Sequence, residues 1–168
     1  MRIIFVCITA WFIAQVLKVV INSIKYAIAK KKGKTADKVT LATLFKLGGM
    51  PSSHTATVIA LAASIGLHNG WDTDVFAASG VFAFIVMFDA IKVRLPIEKL
   101  TEAFNMLKDT VYKKETSDVK KVEGHTLPEI AGGFVVGFCT SYTMIRVLDI
   151  FSWEIFDNIL NLALFRLL

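Results

Sequence analysis

Two histidines in this chain stand where a turn leads directly into an apolar segment. The first ends the sequence Gly-Gly-Met-Pro-Ser-Ser-His at positions 48–54, and the second lies in Gly-His-Thr-Leu-Pro-Glu at positions 124–129. Each pattern predicts a histidine in the first turn of a helix, where unpaired N–H groups and the positive end of the helix dipole attract anions. Two histidines at two such helix ends indicate chemistry on a phosphoryl group.

A histidine that attacks phosphorus needs a carboxylate on its other ring nitrogen, which fixes the tautomer and stabilises the cation. Glu129 follows His125 by four residues, so both are predicted on one helix face. His54 is then the candidate to protonate the leaving oxygen. Basic side chains and the amides at a helix start would hold the phosphate oxygens. Candidate phosphate-binding residues are Lys18, Gly49, Ser52, Ser53 and Arg94, and Asp89 is a further candidate catalytic carboxylate.

The elements that must position these residues are apolar helices. Of the 168 residues, 55% are hydrophobic; the mean hydropathy is +0.59 and the formal net charge is +5. Long apolar runs alternate with short charged connectors, a pattern typical of a small integral membrane protein. The sequence predicts a single all-α membrane domain over residues 1–168, with about four transmembrane helices plus two amphipathic helices. Cys7 and Cys139 lie in apolar runs and are interpreted as small buried hydrophobic residues.

The predicted spans are about Ile3 to Ile24, the turn at Pro51 to about Leu67, about Val75 to Ala90, and His125 or Leu127 to about Val147. The second is short for a full crossing. Between the third and fourth spans, Leu100, Phe104 and Leu107 share one face at helical spacing. This predicts an amphipathic helix lying on the membrane or against the bundle. Residues 112–121 are predicted as a loop, and residues 153–168 as an interfacial helix.

The distribution of basic residues predicts the orientation. Lysines crowd the connector after the first span and the segment 92–121, whereas the turn at 69–74 has two acids and no Lys or Arg. By the positive-inside rule, both basic connectors are predicted to be cytoplasmic. Ionisable residues at membrane depth are costly and mark functional sites. The residues thereby predicted at one cytoplasmic level are Lys18, His54, Asp89, Arg94, His125 and Glu129.

These segments resemble the motifs of the divergent PAP2 family, which is related to type 2 phosphatidic acid phosphatases and vanadium-dependent haloperoxidases. The resemblance rests on the Gly-Gly-Met-Pro-Ser-Ser-His motif at 48–54, on Asp-Ala-x-x-Val-Arg at 89–94, and on Gly-His-Thr at 124–126 with the glutamate and glycine pair that follow. It extends over nearly the whole chain, from Trp11 to about Gly137.

The resemblance implies a membrane hydrolase that removes phosphate from a lipid or prenyl phosphate or diphosphate through a phosphohistidine at His125. It also implies that His54 is the acid on the leaving group, that Glu129 stands in for an orienting aspartate, and that Lys18 binds phosphate. No metal or other cofactor is expected, and vanadate should bind as a phosphate mimic. The expected partners are the bilayer and the lipid substrate, with no nucleic acid.

The chain departs from the motifs of the wider superfamily at three places. Ser53 replaces the glycine of Pro-Ser-Gly-His, Lys25 and Tyr26 replace an Arg-Pro pair, and Val119 occupies the arginine position of a Ser-Arg pair. Arg94 is the candidate to supply the missing guanidinium. Two alternatives follow: a non-catalytic membrane protein that keeps the fold to bind a phospholipid headgroup or a partner, and a vanadate-dependent enzyme that oxidises halide.

Overall fold

The chain folds as a bundle of α-helices. The computed structural model describes residues 2–32, 49–111, 118–119 and 124–147. Its helices, in chain order, are α1 (Arg2–Lys31), α2 (Ser53–Asn69), α3 (Asp74–Asp89), α4 (Leu95–Val111) and α5 (Leu127–Tyr142). One π-helical turn follows α3 at Ala90–Arg94 and another follows α5 at Thr143–Val147. No β-strand occurs in the described ranges, and the predicted all-α fold class is confirmed.

The helices match the predicted spans closely. Three stretches of the described chain are long and apolar enough to cross a membrane: Arg2–Lys31, Asp74–Lys108 and Leu127–Val147. The second predicted span is α2, which has 17 residues and a length of about 25 Å, somewhat less than the ~30 Å hydrocarbon core of a bilayer. The predicted tail helix at 153–168 and most of the predicted loop at 112–121 lie outside the described residues.

Helix α2 is the centre of the bundle. It packs against α1, α3 and α5, and most of its residues are buried. Two glycines of α5 allow the closest approach: a Cβ on Gly133 would overlap the carbonyl oxygen of Ser52, and one on Gly137 would overlap that of Ala56. Small residues at helix interfaces let backbones approach in this way inside a membrane. The α2–α5 contact therefore depends on glycine in α5.

A buried polar contact also joins α2 to α5. The Ser64 hydroxyl donates to the Ser141 hydroxyl oxygen at 3.3 Å, and the Ser141 hydroxyl lies 3.0 Å from the carbonyl oxygen of Ala60. Both serines are fully buried. Hydrogen bonds between helices of this kind contribute about 0.6 kcal/mol on average in membrane proteins, so this contact adds to the glycine-mediated packing.

Helix α3 continues into α4 through the π-helical turn at Ala90–Arg94. The sequence predicted that the third span ends at about Ala90, which is where this turn begins. Pro96 lies two residues beyond the end of the turn, after Leu95. In a regular α-helix the proline ring would clash with the carbonyl group of Lys92 and remove one hydrogen bond. The wider π turn accommodates the proline, and the helix continues without a break.

Helix α4 presents its apolar side outward. Leu100, Phe104 and Leu107 are all exposed, so the predicted amphipathic helix is present and its apolar face is not packed against the described part of the bundle. This arrangement fits an amphipathic helix whose apolar face contacts lipid.

The two cysteines differ in their surroundings. Cys7 is half-buried in α1, whereas Cys139 is exposed on α5. The prediction that both are buried is therefore wrong for Cys139, which lies on the outer side of its helix, away from α2. An apolar run in a membrane protein does not separate core-facing from lipid-facing positions, because both are apolar.

Candidate active site

The two histidines of the sequence motifs lie side by side. His54 is in the first turn of α2, as predicted, whereas His125 lies two residues before α5 and precedes the N-cap residue Thr126. The centroids of the two imidazole rings are 6.1 Å apart, and the ring planes are inclined by 54°. The start of α2 and the start of α5 thus bring two titratable rings to one end of the bundle.

Backbone hydrogen bonds hold the three motif segments together. The N–H group of Ser52 donates to the carbonyl oxygen of Glu129 at 2.9 Å, and the N–H group of His125 donates to that of Ala90 at 3.2 Å. The N–H group of Gly124 donates to Oε2 of Glu98 at 2.7 Å. Main-chain contacts among the ends of α2, α3 and α5 therefore help to position both histidines, and the side chain of Glu98 in α4 adds a contact to the residue before His125.

Glu129 lies behind the ring of His125. Its Oε2 atom accepts a hydrogen bond from the N–H group of Thr126 at 2.9 Å and lies 3.4 Å from Nδ1 of His125. At that distance the second contact is too long for a well-formed hydrogen bond, and it is an ion pair only when the imidazole is protonated. Within the described residues, Nδ1 is buried and makes no hydrogen bond. Glu129 thus caps α5 and faces the nucleophile candidate at the same time, and the Nε2 atom of His125 is on the other side of the ring.

The surroundings of His125 favour the neutral imidazole. Burial is the main cause that lowers its pKa below the ordinary value, and the carboxylate of Glu129 opposes this effect. The positive charges of Lys18 and Arg94 lower the pKa further. A neutral ring at neutral pH keeps one nitrogen lone pair available for attack on an electrophile.

Two cations approach the histidines from other helices. Lys18 of α1 is 0% exposed, and its charge acts on both imidazole rings, as does the charge of Arg94. Arg94 lies in the π turn, where its Nε donates to Oδ2 of Asp89 at 2.5 Å. Asp89 therefore orients the guanidinium of Arg94.

The turn before α2 fits closely over Lys18. Gly49 has φ of +97°, a backbone conformation that glycine adopts at little cost, and the position of a Cβ on it would lie 3.7 Å from Cγ and Cδ of Lys18. Ser53 is buried at the start of α2. The Ser52 side chain is the N-cap: its Oγ accepts from the N–H group of Thr55 at 3.3 Å and from the Thr55 hydroxyl at 3.0 Å.

The structure brings all nine predicted site residues to this end of the bundle, with different surroundings. The amide of Ser52 and its hydroxyl oxygen are already engaged within the protein, so its contacts are those of a helix cap. Gln15 was not a site candidate in the sequence, yet it is buried one turn from Lys18 and its Oε1 has no hydrogen-bond partner within the described residues. Its spacing of three residues from Lys18 was the signal available in the sequence.

Val119, at the position of the missing arginine, lies elsewhere. Its N–H and C=O groups form two hydrogen bonds of 3.0 Å with the side chain of Asn105 in α4. Asn105 is eleven residues beyond Arg94, about 16 Å along the helix. Among the described residues, the guanidinium whose charge acts on both histidines is that of Arg94, in the π turn after α3.

Comparison with known proteins assigns the chain to a family. The model of the divergent PAP2 family matches residues 1–140, which include every residue of the candidate site. The chain belongs to the divergent PAP2 family.

The chain is also similar to a protein of Bacillus subtilis (strain 168) described as "Uncharacterized membrane protein YuiD". The two are 34% identical over 144 residues, which cover 77% of this chain and 85% of the relative. No solved structure matches this divergent PAP2 protein. Together with the three candidate spans, these similarities identify a PAP2-related integral membrane protein.

Proposed function

We propose that this protein is a membrane phosphatase that hydrolyses the phosphate or diphosphate of a lipid or prenyl chain through a phosphohistidine at His125. The observation that carries the proposal is the pairing of His54 and His125 at 6.1 Å, with Glu129 3.4 Å from Nδ1 of His125. Membership of a PAP2-related family supports the same chemistry.

In the first step, the Nε2 lone pair of His125 forms a bond to phosphorus while the bond from phosphorus to the leaving oxygen breaks. In its protonated form, which the negative charge of a bound phosphate favours, His54 donates a proton to that oxygen. The proton on Nδ1 of His125 faces Glu129, which stabilises the positive charge that develops on the ring. The product is the free alcohol, or the monophosphate when the substrate is a diphosphate.

In the second step, water attacks phosphorus and the bond to Nε2 breaks. His54 takes the proton of the water, inorganic phosphate leaves, and His125 returns to the neutral state. Lys18 and Arg94 stabilise the negative charge on the phosphoryl oxygens in both steps, since fixed cations are strongest in a site that excludes water. Gly49 and Ser53 contribute the remaining surface of the phosphoryl pocket, and vanadate is expected to compete with substrate there.

The setting supports a substrate with a membrane tail. The candidate site lies at the end of helices long and apolar enough to cross a bilayer. By the distribution of lysines this end is cytoplasmic, so the phosphate would be cleaved at the cytoplasmic surface while the tail stays among the lipids.

The test is phosphate release by purified protein in lipid nanodiscs from prenyl diphosphates and from phosphatidate. His125→Ala is expected to abolish turnover, and His54→Ala to lower kcat by about 10²–10⁴. His68→Ala is the matched control, because His68 is exposed at the opposite end of α2. A substrate with a leaving group that needs no proton, such as p-nitrophenyl phosphate, should be much less sensitive to His54→Ala.

A chemical trap adds a second readout. Rapid quenching with labelled substrate should leave phosphate on wild-type protein and on His68→Ala, but none on His125→Ala. If wild type releases no more phosphate than His125→Ala from any of these substrates, the hydrolase is excluded. Substrate binding without turnover would then support the non-catalytic, headgroup-binding alternative.

A further inference from the structure

An apolar groove crosses the outer side of the bundle between α1 and α3, with α2 as its floor. Its volume is about 380 Å³, and it is lined by Ile4, Cys7 and Trp11 of α1, by Thr57 and Leu61 of α2, and by Phe82 of α3, among others. Ile4 and Phe82 are exposed, so the groove is open along its side. In a bilayer this side faces the lipid chains.

The groove lies on the same helix faces as the candidate site. Trp11 precedes Lys18 by seven residues, and Phe82 precedes Asp89 by seven. Leu61 follows His54 by seven on α2, which runs in the opposite direction. Seven residues are nearly two helical turns, so the members of each pair lie on one face about 10 Å apart.

The three pairs therefore place the groove on one side of the site, deeper in the bundle. On α2, the surface between the groove and the site offers no free polar group at Thr57. The hydroxyl of Thr57, one turn from the site, donates to the carbonyl oxygen of Ser53 at 2.8 Å. With that hydroxyl engaged within its own helix, the floor beyond His54 presents apolar surface to the groove.

We propose that this groove binds the single hydrocarbon chain of the phosphorylated substrate whose headgroup His54 and His125 hold. The proposal rests on the function proposed above and names its substrate class: a lipid with one long chain, such as a polyprenyl phosphate or diphosphate. Alignment of the groove with the site along three helices is what selects the substrate's own tail over an arbitrary lipid. A groove of this volume, bounded by one helix on each side, has room for one chain.

The dimensions give a length requirement. Trp11 is about 10 Å from the level of Lys18, and Ile4, fourteen residues from Lys18, is about 21 Å away. A chain shorter than about 10 Å does not reach the groove, whereas a chain of about 21 Å fills it to Ile4. The dependence of kcat/KM on chain length should accordingly be steep between dimethylallyl diphosphate and geranylgeranyl diphosphate.

The first experiment measures the ratio of kcat/KM for geranylgeranyl diphosphate to kcat/KM for dimethylallyl diphosphate in two matched variants. Cys7→Phe fills the groove and is expected to lower the ratio by on the order of tenfold, because apolar contacts to the long chain are lost. Cys139→Phe makes the same change on the exposed outer side of α5 and should leave the ratio unchanged. Leu61→Ala, which removes volume from the floor, is a second variant and should also lower the ratio. An unchanged ratio in both groove variants overturns the proposal.

The second experiment does not depend on turnover. In the His125→Ala background, geranylgeranyl phosphate carrying a diazirine at the end of its chain should label the α1 segment from Ile4 to Trp11. Excess unlabelled geranylgeranyl phosphate and the Cys7→Phe substitution should each prevent the labelling. Labelling of the α5 surface around Cys139 to the same extent would mean that the probe reports bulk lipid, and this would contradict the proposal.

The two experiments separate the tail site from the reaction. Labelling of α1, together with a wild-type protein that releases no phosphate, would support the groove and exclude the hydrolase. Turnover without labelling and without a chain-length dependence would support the hydrolase and exclude the groove. A photoreactive phosphatidate tests lipids with two chains. If it labels α1 as strongly as the geranylgeranyl probe does, the proposal that the groove selects a single-chain lipid is contradicted.

Discussion

Nδ1 of His125 lies 3.4 Å from Oε2 of Glu129, and the same oxygen accepts the hydrogen bond that caps the start of α5. One carboxylate thus both begins a helix and faces the candidate nucleophile. The placement leaves Nε2 as the nitrogen able to attack phosphorus. It also means that replacing Glu129 by an apolar residue would disturb folding and chemistry together, so the informative substitution is one that keeps the cap.

Glu129→Gln is that substitution, because an amide oxygen can still accept from the Thr126 N–H group. The carboxylate of Glu129 raises the pKa of His125, whereas burial, the larger effect, lowers it. Removing the carboxylate should therefore move the acid limb of the kcat/KM profile to lower pH, since the nucleophile must be neutral. We also expect kcat to fall about 10- to 100-fold, because the developing imidazolium loses its counter-charge.

The measurement is a full pH profile of wild type and Glu129→Gln with one prenyl diphosphate. The wild-type acid limb is expected below the ordinary histidine pKa of about 6.5. If Glu129 serves only as a helix cap, the two profiles will coincide in position and in height.

Arg94→Ala should lower kcat by about 10²–10³, as expected for loss of one charged group that stabilises the transition state. Adding Val119→Arg should not restore activity, because Val119 is held against Asn105 of α4. Arg146→Ala is the matched control, since Arg146 is exposed in the π turn after α5. Rescue by Val119→Arg would show that the segment around Val119 reaches the histidines and that Arg94 is not the phosphate ligand.

Gly133→Ala should destabilise the protein by about 1–3 kcal/mol, the usual cost of overpacking. A Cβ there would overlap the backbone of Ser52 and lie 2.8 Å from the Cβ of Thr55. Gly80→Ala in α3 is the control, because nothing lies within 4 Å of the position of its Cβ. Thermal unfolding in detergent measures both: a clear loss is expected for Gly133→Ala, and little change or a slight gain for Gly80→Ala. Equal midpoints for the two variants would contradict the close α2–α5 contact.

The orientation can be tested with single cysteines in a background that carries Cys7→Ala and Cys139→Ala. Asp72 in the α2–α3 turn and Lys99 in α4 are both exposed. We expect Asp72→Cys to react with a membrane-impermeant maleimide in intact cells, and Lys99→Cys to react only after permeabilisation. The reverse pattern would place the candidate site on the outer side of the membrane.

Much of the fold could be predicted from the sequence because it depends on local physics. Apolar runs in a membrane protein form helices, since each backbone polar group must be satisfied within its own segment. The caps could also be predicted, as Ser52 and Thr73 each accept from the amide three residues later. The approach of Glu129 to His125 is also local, because the contact of the Glu129 carboxylate with the N–H group of Thr126 brings it back to the residue next to His125.

Other features required the tertiary structure. Asp89 and Arg94 are five residues apart, a spacing that does not pair in a regular α-helix, and the π turn before Pro96 brings them together. Whether position 119 or position 94 lies near the histidines depended on where the chain after α4 packs. The groove between α1 and α3 depends on three helices that are distant in sequence, and no single segment encodes it.

The sequence by itself determined the helices, their caps and the residue types able to act on phosphate. Only the tertiary structure decided that the rings of His54 and His125 lie 6.1 Å apart, and which cations lie near them. The physical reason is that contacts within a turn follow from the geometry of one helix, whereas contacts between helices depend on how closely the backbones approach. Here that approach is governed by Gly133 and Gly137, where a Cβ would meet the backbone of α2.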